Sequence, residues 1–262
     1  MITAVTTIAV GVATGLGTSA GQKFLGLGEN KPPAPIGPPI KITKVTLVPR
    51  DTDQTWVFPD PLSEQALDKI NGEYAAFKDH DEILRSSGAV ETGVSTVEVE
   101  VEGNRAKDVR ITDIAVVPRC QAPLRGALFY FPPQGETETV QIGYNLDRSP
   151  SIGQYPKKAE TDPHPQLTGN YFADQKYILK LAEQATFRLS AVTRGQYCEY
   201  HFDLKYIADG KPNSLLINNN GKDFRVSALI EKDRTLDCSA YGQRYSPGDP
   251  GWKSMDTSSC AG

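Results

Sequence analysis

Histidine is scarce in this chain and stands apart from any nucleophile that would use it. His80, His164 and His201 are the whole supply among 262 residues. There is no H-E-x-x-H pair, no G-x-S-x-G elbow and no Walker A loop, so the common signatures of zinc proteases, serine hydrolases and P-loop enzymes are missing. No two cysteines are spaced C-x-x-C, which argues against a zinc ribbon. Excess positive charge is also missing: 28 Lys+Arg stand against 32 Asp+Glu, a formal net charge of -4. A mildly acidic chain lacks the basic footprint that holds nucleic acid. No repeat of fixed period occurs.

Residues 2–20 (ITAVTTIAVGVATGLGTSA) lack charge altogether. This is about the length that a helix needs to cross a hydrocarbon core of ~30 Å. Gly11 with Gly15, and Gly17 with Gly21, have the small-xxx-small spacing that lets two membrane helices approach closely, which suggests a homo-oligomer. Gly11–Gly17 lie within the apolar run with no strand before them, so they are no dinucleotide fingerprint. Three readings stay open for residues 1–27: an uncleaved transmembrane helix, a signal peptide cut near Thr18–Ala20, and a Gly-zipper helix packing on other proteins. The signal peptide lacks the usual basic start. The lone Lys23 after the span would favour a cytoplasmic body under the positive-inside rule.

Residues 28–40 form a linker. Pro32, Pro33, Pro35, Pro38 and Pro39 exclude helix and central strand there, and favour an extended polyproline II spacer rising about 3.1 Å per residue.

Residues 41–262 read as a β-rich globular domain. Residues 41–48 (KITKVTLV) alternate as a strand, with 54–58 expected to pair with them. A helical insertion is expected near 62–86. Its first helix, 62–70, has Ser63 as N-cap and Asn71-Gly72 as a stop, and its second covers 73–85. Strands are then expected over 94–101, 109–117, 126–131, 138–146, 176–181, 186–192, 197–206, 215–218 and 224–229. Asn220-Gly221 signals a type I′ hairpin. Many short strands separated by turn signals point to a mainly β fold, an antiparallel β-sandwich or Greek-key barrel preceded by one apolar helix. Residues 147–170, with four prolines, read as a long surface excursion. Trp252 and Cys260 suggest that the Gly- and Ser-rich C-terminal stretch is pinned.

Cys120, Cys198, Cys238 and Cys260 all lie in this domain, and four cysteines allow three pairings. Cys120 with Cys198 and Cys238 with Cys260 are the expected staples of an oxidising compartment, against four free thiols in the cytosol. Cys198 and His201 are three apart in a strand and so face opposite sides of the sheet, which argues against a shared metal. His80, between Asp79 and Asp81, reads as part of a solvated helix face. Tyr155, His164 and Tyr171, in and beside the excursion, are the candidate partner-contact residues. No catalytic, metal or cofactor site is assigned, and no cofactor is expected.

The strand series ending in YCEYHFDLKYIADGK and GKDFRVSAL, within residues 94–229, resembles uncharacterised membrane-anchored proteins of high-GC Gram-positive bacteria. In those proteins a transmembrane helix precedes an extracytoplasmic β domain. The resemblance implies membrane association and brings no catalytic residues. The expectation is a membrane-tethered, extracytoplasmic interaction module with a protein or glycan ligand. The alternatives are a secreted or tethered carboxylate-dependent hydrolase, such as a glycosidase, and a cytoplasmic membrane-linked sensor.

Overall fold

Alternation with a period of two residues decides the architecture, because each strand buries every second side chain. The computed structural model describes residues 37–49, 55–76, 79–131, 141–157, 166–249 and 251–256. The expected N-terminal helix with Gly11, Gly15, Gly17 and Gly21 lies outside the described residues, as do most of the linker, His164 and Cys260. No described helix is long and apolar enough to cross a membrane.

In chain order the elements are β1 (Ile40–Leu47), β2 (Trp56–Val57), α1 (Glu64–Ala75), α2 (His80–Ser86), β3 (Val90–Thr92), β4 (Val94–Gly103), β5 (Val109–Gln121), β6 (Ala127–Phe129) and β7 (Ile142–Asn145). There follow β8 (Tyr155–Lys157), β9 (Gln166–Thr168), the one-turn helix α3 (Tyr171–Asp174), β10 (Tyr177–Leu179), β11 (Gln184–Val192), β12 (Tyr197–Ala208) and β13 (Lys211–Ile217). The last are β14 (Phe224–Ser227), β15 (Glu231–Lys232), β16 (Thr235–Leu236), β17 (Gln243–Pro247) and β18 (Trp252–Ser254). The fold is mainly β.

A four-stranded sheet runs β1-β4-β11-β7, and a ten-stranded sheet runs β10-β5-β12-β14-β3-β2-β6-β17-β18 with β13 also on β12. In β4, Val97, Val99 and Val101 are buried, while Glu98, Glu100 and Glu102 alternate with them. In β12, Tyr200, Phe202 and Leu204 are buried in the same manner. The two sets join in one apolar cluster with Tyr144, Phe187 and Phe224, so the small sheet and the β5–β12 half of the large sheet share a core.

The other half of the large sheet has a different cover. Val226, Glu91, Trp56, Phe129 and Tyr245 are successive register partners across β14, β3, β2, β6 and β17. Register partners share a face. Val226 belongs to the core between the sheets, whereas Trp56, Phe129 and Tyr245 pack on Ile70 of α1 and on Ile83 and Leu84 of α2. The two helices therefore take over from the small sheet as the cover of one continuous face. The opposite face, through Val57, Val90, Leu128 and Tyr197, packs against Cys238 and Tyr241.

Several expectations need correction. Strand β2 does not pair with β1; it joins the large sheet between β3 and β6, because both of its residues are buried and need cover on two faces. Helix α1 does not stop at Asn71-Gly72. Asn71 instead donates to the Trp252 carbonyl at 3.2 Å and accepts from the Trp252 amide at 2.7 Å, so its side chain serves a tertiary contact. The second helix begins only at His80, where Asp79 accepts from the Asp81 and Glu82 amides. Asn220 and Gly221 have φ of 51° and 87°, as a type I′ turn requires. The turn is closed by one antiparallel bridge, Asn219 with Lys222, but the pairing goes no further. β13 and β14 lie one after the other along the same edge of β12, and the turn projects between them. Pairing is not wholly antiparallel either: β7–β11, β3–β14 and β6–β17 are parallel. Each of these pairs is far apart in sequence, which leaves chain enough for the crossover that parallel pairing needs.

The inward row of β4 ends in Gly103. A Cβ there would lie 2.1 Å from the Lys180 carbonyl oxygen. Gly72, inside α1, has nothing within 4 Å of an added Cβ. In urea unfolding, Gly103→Ala is expected to cost about 2 kcal/mol or more, since backbone must move. Gly72→Ala is expected to stabilise by about 0.5–1 kcal/mol.

Candidate functional site

Polar residues gather where the large sheet's cover changes from sheet to helix. Glu91 stands in the otherwise apolar row of Val226, Trp56 and Phe129 and is 4 % exposed. A carboxylate buried so deeply needs a cation. Arg85, in the last turn of α2, supplies it: Nη2 donates to Glu91 Oε1 at 2.7 Å, and the guanidinium carbon lies 5.3 Å from the centre of the Trp56 ring. This stacking is favourable in itself. Beside the pair, at the start of β4, Ser95 occupies the inward row that continues as Val97, Val99 and Val101. It is 1 % exposed, and its Oγ has no hydrogen-bond partner.

These side chains line a small cavity of about 40 Å³. Leu47 and Phe224 give it apolar walls. Asn219, Asp223 and Arg225 reach it from the projecting turn and from β14.

Asp223 links the cavity to a polar network on the outer face of the large sheet. Arg119 Nη2 donates to Asp223 Oδ2 at 2.8 Å and to Glu199 Oε2 at 3.2 Å. His201 Nδ1 lies 3.2 Å from Asp223 Oδ1. The Tyr197 hydroxyl donates to Glu199 Oε1 at 3.0 Å. Burial, with the Glu199 carboxylate behind it, pushes this phenol up to about 12, so Tyr197 is a hydrogen-bond donor throughout the neutral range.

The cysteines lie beneath this network. Strand β5 runs on to Gln121, past the expected end at residue 117, and so carries Cys120 directly opposite Cys198. The two form a disulfide with Cα atoms 4.1 Å apart, and no described cysteine is a free thiol. Cys238 is buried. Cys260, its expected partner, lies outside the described residues. Cys198 faces the core and His201 faces outward, as their spacing requires. Among the described residues, no three His, Cys, Asp or Glu converge as metal ligands.

The excursion at 147–170 holds the β8–β9 pair and is bridged to β7 through Gly143 and Gln154. The rings of Tyr155 and Tyr171 lie 4.9 Å apart. The Tyr171 hydroxyl is 2.6 Å from that of Tyr177. Tyr171 is only 7 % exposed and belongs to the core between the sheets, so its ring is no surface platform; Tyr155 is half-buried. His80 stacks on Tyr74 at 4.0 Å.

No protein-family model matches the chain, and no curated protein matches it.

Trp56, Arg85, Glu91 and Ser95 are not apparent as a group in the sequence, because the Arg85–Glu91 pair spans a helix and a strand. One signal was present: Ser95 breaks the valine row of VSTVEVEV at its first inward position. Replacing Arg85 with Met leaves the Glu91 carboxylate without its guanidinium and is expected to cost roughly 3–5 kcal/mol in urea unfolding. Replacing both Arg85 and Glu91 with Met is expected to recover most of that loss.

Proposed function

We propose that the protein is an extracytoplasmic binding module. Residues 1–27 anchor it at the membrane, the Pro-rich residues 28–40 space it from the surface, and the body is a β-sandwich. The observation that carries the location is the Cys120–Cys198 disulfide, which joins opposed positions on the two long strands of the large sheet. Such a bond belongs to an oxidising compartment. The core shared by the two sheets supports the sandwich reading.

Binding is preferred to catalysis because of how the converging acids are engaged. A glycosidase needs two carboxylates able to take opposite roles across a scissile bond. Glu199 and Asp223 are both held by one guanidinium, Arg119, and Glu91 is held by Arg85. The contact surface comprises the cavity, the projecting Asn220-Gly221 turn and the excursion that carries Tyr155.

The location is tested by intact mass of the protein from its native host, before and after thiol alkylation in denaturant without reductant. Full-length chain with four unreactive cysteines is the expected result. Loss of the first twenty or so residues would give a secreted product and remove the anchor. Four alkylated thiols would place the body in a reducing compartment and favour the membrane-linked sensor.

A further inference from the structure

Two side chains that line the cavity at the seam hold donors they do not use. The Ser95 hydroxyl is buried, unpartnered and placed on the inward row of β4. Leaving such a group unsatisfied is costly, so an acceptor or donor is expected to meet it. Arg85 uses one N–H on Glu91, and its planar fork carries five. The guanidinium is held in place by the Trp56 ring. Arg225, whose backbone runs beside the same lining, turns its side chain to the outer face, as the register partner of Glu199 and beside the Tyr197 hydroxyl.

The lining carboxylates are already committed, Glu91 to Arg85 and Asp223 to Arg119 and His201. A cation therefore finds only carboxylates that are already paired, whereas an acceptor finds at least two donors. The volume, about 40 Å³, is room for about three waters. That is also the size of a planar group of three heavy atoms.

We propose that the cavity lined by Ser95 and Arg85 binds a carboxylate group. One oxygen accepts from the Ser95 hydroxyl and the other from the free N–H groups of Arg85. Charge-assisted bonds of this kind are among the stronger ones available to a small site. The carboxylate belongs either to a small free acid or to the C-terminus of a polypeptide. This inference deepens the reading of the body as a binding module and rests on it, but not on its location.

The test uses the full-length, deuterated chain in nonionic detergent, followed by NMR. Sodium acetate replaces sodium chloride at constant ionic strength while the Ser95 amide and the Trp56 indole are observed. Saturable, parallel shifts of both are expected. Ser95→Ala is expected to weaken acetate roughly tenfold without lowering the urea midpoint, because it removes a hydroxyl that has no partner. A short peptide with a free C-terminus, compared with its C-terminal amide, separates the two sources. Tighter binding of the acid than of acetate identifies a polypeptide end, and saturable binding of acetate alone identifies a small acid. Linear shifts that match chloride, or acetate binding unchanged in Ser95→Ala, would overturn the proposal and leave water as the occupant. That result would not touch the location, which cysteine oxidation decides separately.

Discussion

Strand β12 is apolar on one face and polar on the other, and the larger sheet is registered on it. Cys198, Tyr200, Phe202, Leu204 and Tyr206 turn inward, while Glu199, His201, Asp203 and Lys205 turn out. β5 lies along one edge, tied by the Cys120–Cys198 bond, and β14 followed by β13 lies along the other. A slip of one residue would send the charges into the core and the aromatics into water. The same register brings Arg119, Glu199, His201 and Asp223 within bonding distance of one another. Core and polar network are thus two consequences of one alternation.

The second constraint is that a wide sheet needs more cover than a four-stranded sheet supplies. Beyond β14 the same face continues under α1 and α2. A sheet edge and a helix end do not tile perfectly, and the seam between them leaves the small cavity. Polar groups tolerated there would be costly in the middle of either cover. Glu91 is held by Arg85, and Ser95 stands where the valine row has run out of opposing apolar surface. The seam thus holds polar groups that are fixed by their neighbours, Arg85 between the Glu91 carboxylate and the Trp56 ring.

The identity and order of most strands could be read from sequence, because their residues alternate strongly. β4, β11 and β12 lie close to their expected positions, and the Asn220-Gly221 turn has its expected backbone conformation. Local signals failed where a tertiary contact competed with them. Asn71-Gly72 resembles a helix stop, yet Asn71 is engaged by Trp252, 181 residues away, and the helix continues. The turn at Asn220-Gly221 closes as a hairpin through Asn219 and Lys222, yet the strands beyond it pair with β12 and not with each other.

The sequence by itself determined that the body is mainly β and which faces of its strong strands are apolar. These follow from short-range periodicity, which every window of the chain carries. Only the tertiary structure decided that β2 leaves β1 for the large sheet, that the helices continue the small sheet's cover, and that Arg85, Glu91, Trp56 and Ser95 meet. Each depends on which buried surfaces remain to be covered once the strongest strands have paired, and that is a property of the assembled sheets that no local stretch encodes.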